Sequence, residues 1–203
     1  LHQVGFHYIS NSCYNAARRP GVTIKARATL DDLYRVPAHA KAELVNGELI
    51  LMSPTGARPG RAGGRIYASL DRYERETQSG FAFPDNVGFT VNLPNRESFS
   101  PDAAFHPGPL SGMRFLSGAP IFAAEVRSES DYGSQAERDL AAKRRDYFAA
   151  GTQVVWDVNL LSDDVIKVYR ASDPASPTIY RRGETAEAEP ALPGWVMPVD
   201  DLF

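Results

Sequence analysis

The sequence has a single cysteine, Cys13, so it can form no internal disulfide and has no cysteine pair with which to build a zinc knuckle. A reducing cytoplasm is the expected setting. No apolar run approaches the roughly 20 residues needed to span a bilayer, and the N-terminal stretch lacks the continuous apolar segment of a signal peptide. The expectation is a soluble chain with no membrane partner. A basic excess is also missing: the net charge of −3 argues against binding nucleic acid by bulk electrostatics, although it leaves room for a site whose acids are neutralised by metal. The four histidines, His2, His7, His39 and His106, form no ligand-spaced pair, so a histidine metal centre is not expected.

What the chain does have is 43% hydrophobic and 10% aromatic residues over 203 positions, enough for one good core. Residues 25–203 read as one α/β domain and residues 1–24 as a loosely attached arm. Thr29-Leu30-Asp31-Asp32-Leu33-Tyr34 carries a threonine cap and two acids in its first turn, so it reads as a short helix. Asn46-Gly47 lies between two apolar runs and predicts a type I′ hairpin over 42–52, with Val45 opposite Glu48, Leu44 opposite Leu49 and Glu43 opposite Ile50. Helical spacing of Ile66, Leu70 and Tyr73 predicts a helix from about Arg61 to Thr77. Its other face holds Arg58, Arg61, Arg65, Arg72 and Arg75, of which Arg61 and Arg65 are candidate phosphate contacts, diluted by Asp71, Glu74 and Glu76. Phe81 to Val91 reads as one or two strands, and Asn92 to Glu97 as a turn-rich link.

The stretch from Ser100 to Gly151 organises the rest. If Ala103 to Phe105 and Ile121 to Val126 are neighbouring buried strands, Asp102 and Glu125 fall at or near their ends, where two carboxylates could share one hard divalent cation. Period-2 alternation puts Glu125 on one face with Ile121, Ala123 and Arg127, and Phe122, Ala124 and Val126 on the other. Ser134-Gln135-Ala136-Glu137 reads as a capping box opening a helix that Gly151 stops. On that helix Lys143 lies on the stripe of Ala136, Leu140 and Tyr147, facing the sheet. It would either snorkel to solvent or complete a phosphodiesterase site. Gln153 to Val158, Val165 to Arg170 and a short piece at Thr178 to Arg181 read as further strands.

Taken in order, several of these segments resemble the Uma-type endonucleases, a branch of the PD-(D/E)XK restriction-endonuclease-like superfamily. They are Thr29 to Tyr34, Ala42 to Leu49 with Met52-Ser53-Pro54, Pro101-Asp102, Glu125 to Asp131, Lys143 with Tyr147 and Ala149-Ala150-Gly151, and Val154 to Val158. The resemblance covers residues 28 to 203. It implies a mixed central sheet flanked by helices and a Mg²⁺- or Mn²⁺-dependent site that hydrolyses DNA. By that analogy Asp102 and Glu125 are the metal ligands, Lys143 is the active-site lysine moved from strand to helix, and Glu43 is an additional acid. There are two departures from the pattern. Arg127 stands where the superfamily carries lysine two residues after the second acid, and Arg58 and Arg61 occupy a loop where members often have histidine. Arg127 cannot act as a base, because guanidinium keeps its proton at working pH, but it could grip a phosphate. A homodimer is a further expectation. The competing readings are a nuclease-derived nucleic-acid-binding module without turnover and a protein-interaction scaffold without metal.

Overall fold

The hairpin at Asn46-Gly47 is the local feature from which the site is built. In the computed structural model, which describes residues 27–37, 40–110 and 112–203, both turn residues have positive φ, 54° at Asn46 and 72° at Gly47. They join β1 (Lys41–Val45) to β2 (Glu48–Met52) in the register expected from the turn type. An added Cβ at Gly47 would run into the Arg27 side chain, so the turn is crowded as well as held at positive φ. Gly47→Ala should destabilise the protein by about 1–2 kcal/mol, measured as a lower urea midpoint with unchanged slope. Residues 1–24, read as an arm, lie outside the described residues.

Ahead of the hairpin lies α1 (Leu30–Tyr34), where Thr29 and Asp32 form a reciprocal capping box. After it come α2 (Ala57–Thr77), β3 (Phe81–Pro84), β4 (Phe89–Leu93), β5 (Arg96–Phe99), β6 (Ala103–His106), β7 (Leu116–Ser117) and β8 (Phe122–Val126). The chain continues through α3 (Ser134–Ala149), β9 (Val154–Val158), β10 (Ile166–Arg170), β11 (Asp173–Tyr180), β12 (Thr185–Glu187) and β13 (Val196–Pro198), closing on a short 3-10 turn at Val199–Leu202. β2-β1-β5-β4-β7 form one sheet and β11-β10-β9-β8-β6-β3 a second, with β12 and β13 paired separately. The second sheet is mixed, because β8 and β9 run parallel across the α3 crossover while its other neighbours are antiparallel. No helix among the described residues is long and apolar enough to cross a membrane.

Alternation along β8 and β9 sorts their side chains onto two cores. Phe122, Ala124, Val126, Val154, Trp156 and Val158 pack with Ile66 and Leu70 of α2 and with Trp195 and Leu202 near the C-terminal end of the chain. Ala123 and Val155 face the other way, towards Phe89, Phe99 and Leu116 of the first sheet and Tyr147 of α3. Glu125 follows Ala123 on that inner side, as period 2 requires, whereas Ile121, one residue before the strand, packs on the α2 side. The six-stranded sheet is therefore covered on both faces, which is why β9 is buried at every position.

Three local expectations give way to tertiary ones. Arg96–Phe99 forms a strand where a turn-rich link was expected, because its polar side chains are satisfied inside: Arg96 on Glu43, and Ser98 accepting the Leu44 N–H at 2.8 Å. α3 is capped by Gly133, at φ 92°, with no side-chain cap; the Glu137 carboxylate is drawn instead to Arg127. β11 is a full eight-residue strand rather than a short piece.

Candidate active site

Four elements bring acids and ammonium groups together at the seam between the sheets. β1 presents Lys41 and Glu43, two residues apart and on one face. The chain leaves β5 through Ser100 and Pro101 and presents Asp102 just before β6, while β8 presents Glu125 near its C-terminal end. α3 places Lys143 and Tyr147 one turn apart on its inner side.

Asp102 is fixed by both oxygens. Its Oδ2 accepts the Val126 N–H at 2.8 Å, so the side chain continues the β6–β8 ladder one step past its last backbone pair, and its Oδ1 receives the Lys41 Nζ at 2.9 Å. Lys41 also donates to Asp85 Oδ1 at 2.6 Å. Glu125 is similarly occupied, with Tyr147 donating its phenol to Oε1 at 2.6 Å and Lys143 its ammonium to Oε2 at 2.9 Å. Lys143 reaches Glu43 Oε1 as well, at 2.9 Å. Behind it, Glu43 accepts from the Ser100 N–H at 2.9 Å and from Arg96 at 2.5 Å, and Arg96 turns its Nε to Asp146 at 2.8 Å. Tyr147 is held by stacking on Phe99, with ring centroids 4.0 Å apart and planes 13° from parallel. The ring that anchors Glu125 is thus itself clamped between the sheets.

The charges do not balance. Five carboxylates, Glu43, Asp85, Asp102, Glu125 and Asp146, face three cations, Lys41, Arg96 and Lys143, leaving two negative charges over. Glu125 feels this most. Burial pushes its pKa up, Lys143 pulls it down, and Asp102 and Glu43 push it up again, so it ends above the ordinary glutamate value. Glu43 goes the other way, since Lys143 and Arg96 together outweigh its burial. For Lys143, burial opposes the charged form, but Glu125 and Glu43 overcome it and hold the pKa above the usual lysine value. The two carboxylates thus favour the ammonium form of Lys143.

The remaining sequence candidates lie elsewhere. Arg127, with its side chain 4% exposed, forms a two-pronged pair with Asp157, at 2.7 and 2.8 Å, and a second contact with Glu137. Its guanidinium is committed within the fold. Arg61 and Arg65 are exposed on α2 and flank Gly63, whose backbone packs against Asp102 closely enough that a Cβ there would lie 3.5 Å from the Asp102 carbonyl oxygen. Sequence reasoning missed Lys41, Asp85 and Arg96. Lys41 alone left a signal, its two-residue spacing from Glu43.

The family model described as "Uma2: Putative restriction endonuclease" matches residues 28–200. Among solved structures, the chain is similar to a crystal structure described as "a putative nuclease belonging to DUF820" from Anabaena variabilis. The two are 15% identical with a TM-score of 0.66, over 86% of this chain and 97% of that one, a likeness of fold. No curated protein matches.

Proposed function

We propose, from the premise that the chain belongs to the Uma2 family, that it is a Mg²⁺-dependent endonuclease hydrolysing DNA phosphodiester bonds. The observation that carries this reading is the convergence of Asp102 and Glu125 in a cluster short of two positive charges. The donor set fits the ion. It is all oxygen, it supplies two carboxylates, and among the described residues no third acid, histidine or cysteine completes a closed cage. Mg²⁺ keeps several waters and takes one or two carboxylates, which is what this site offers; zinc would want more nitrogen or sulfur.

Asp102 and Glu125 would hold the ion, which when bound would polarise a phosphoryl oxygen and lower the pKa of a coordinated water. The chain's own residues do the rest. Lys143 presents a fixed ammonium to the negative charge that builds on the phosphoryl oxygens during in-line attack. Glu43, anchored by Arg96 and the Ser100 N–H, aims Lys143 rather than binding the ion itself. Tyr147 fixes the orientation of Glu125. Arg61 and Arg65, exposed on α2, would be the residues to meet the DNA backbone, a contact that salt would weaken. Arg127 drops out of DNA binding in this reading and becomes a support for the sheet.

Titration calorimetry with Mn²⁺ tests the reading, because Asp102→Asn removes a ligand while keeping the shape that accepts Val126 N–H. Wild type should bind and the variant should lose at least about tenfold in affinity. Equal binding by both proteins would sink the shared-ion site, and cleavage that survives chelation would sink metal dependence.

A further inference from the structure

Each oxygen of the two ligand carboxylates already accepts one hydrogen bond from the protein and keeps one lone pair, so an incoming dication would share these acids with cations that repel it. The Val126 N–H is backbone and the Tyr147 phenol sits on a clamped ring. The choice lies between two ammonium groups. Lys143 is held between Glu125 and a buried Glu43 that is itself fixed by Arg96 and Ser100. Lys41 is held on one side by Asp102 and on the other by Asp85, whose side chain is 42% exposed. Lys41 can therefore let go of Asp102 and remain charge-paired at the rim, on the partner it already approaches more closely.

We propose that Lys41 is a positioning residue that holds Asp102 in place of the metal and yields it when the metal arrives, with Asp85 as the anchor that receives it. The proposal rests on the metal site described above and adds the device that sets its affinity. The electrostatics agree. The Lys41 Nζ lies 2.9 Å from Asp102 Oδ1 and 2.6 Å from Asp85 Oδ1, so its charge answers the ligand carboxylate as an ion's would. The arrangement keeps the two like charges tolerable without an ion, at the cost of competing for one of them.

Mn²⁺ calorimetry on the full chain separates this from a merely structural lysine, because the two roles predict opposite signs. Lys41→Met should bind Mn²⁺ about tenfold more tightly than wild type, since a competing cation is gone. Its metal-free melting temperature should fall, and Mn²⁺ should raise it by more than it raises the wild type. Asp85→Asn should weaken Mn²⁺ binding by leaving Lys41 only Asp102 to pair with, and that loss should shrink in the Lys41→Met background. Lys41→Arg, which keeps the charge, should stay near wild type. If wild type binds Mn²⁺ and Lys41→Met binds it equally or less tightly, the displacement idea is overturned while the metal site stands. If neither binds, the metal site itself falls and takes this inference with it. Should Lys41→Met fail to fold, the surface variant Asp85→Asn decides: affinity at or above wild type overturns the proposal.

Discussion

Lys143→Ala will lower the rate of DNA cleavage by about a hundredfold or more while leaving Mn²⁺ binding in place. The ammonium touches Glu125 and Glu43 but supplies no ligand atom, so its loss removes stabilisation of developing phosphoryl charge and not the ion's carboxylates. The variant also leaves Glu125 Oε2 without its donor, while Glu125 Oε1 keeps Tyr147 and Glu43 keeps the Ser100 N–H on Oε1 and Arg96 on Oε2. Single-turnover cleavage and calorimetry on the same preparation check both halves. A variant that cuts at the wild-type rate would remove Lys143 from the chemistry, and one that no longer binds Mn²⁺ would make it structural. Lys143→Arg should rescue little, because a planar guanidinium cannot occupy a point held by two carboxylates 2.9 Å away on either side.

Arg127→Ala will have its main effect on stability, lowering it by about 3–5 kcal/mol. Asp157, with its side chain 3% exposed, would be left inside the sheet with only Arg144, 3.4 Å away and stacked on Tyr169. For a domain of this size that corresponds to a melting temperature about 10 °C lower. The pH dependence carries a second signature. Hydrogen bonds from Arg127 hold Glu137 below its ordinary value, so Glu137 adds stability above the unfolded pKa of a glutamate and loses it as pH falls through its depressed folded pKa. The alanine variant should lack that acid limb, which melting curves between pH 3 and 6 would show. A melting temperature within about 2 °C of wild type would return Arg127 to the surface and to phosphate contact.

Several parts of this site were legible from residues alone, for physical reasons that can be named. The hairpin register follows from two positive-φ residues, and the face of Glu125 follows from alternation along a buried strand. Lys143 stood out because charge on a core-facing stripe needs a partner. What could not be read depends on how one sheet lies over the other. Lys41 looks like an ordinary strand lysine until Asp102, 61 residues away, comes within 2.9 Å of it. β5 looks like a link because Arg-Glu-Ser is polar, and only the buried Glu43 and the Leu44 N–H make Arg96 and Ser98 core residues. The capping box at Ser134 and Glu137 failed for a related reason. A local exchange of two hydrogen bonds lost Glu137 to a guanidinium 10 residues back in the chain.

Between Ser100 and Asp102 the backbone is pinned twice in three residues. The Ser100 N–H is tied to Glu43 in the first sheet, and the Asp102 N–H to the Ala124 carbonyl in the second, at 2.9 and 3.1 Å. This peptide segment acts as a ruler. One added residue would lengthen it by about 3.8 Å, more than a hydrogen bond can stretch, so Asp102 would lose Val126, Lys41 or both. Side chains along the crossing can change chemically within limits, but its length cannot, and lineages of this chain should accept insertions in the exposed connection from β6 to β7 long before they accept one here.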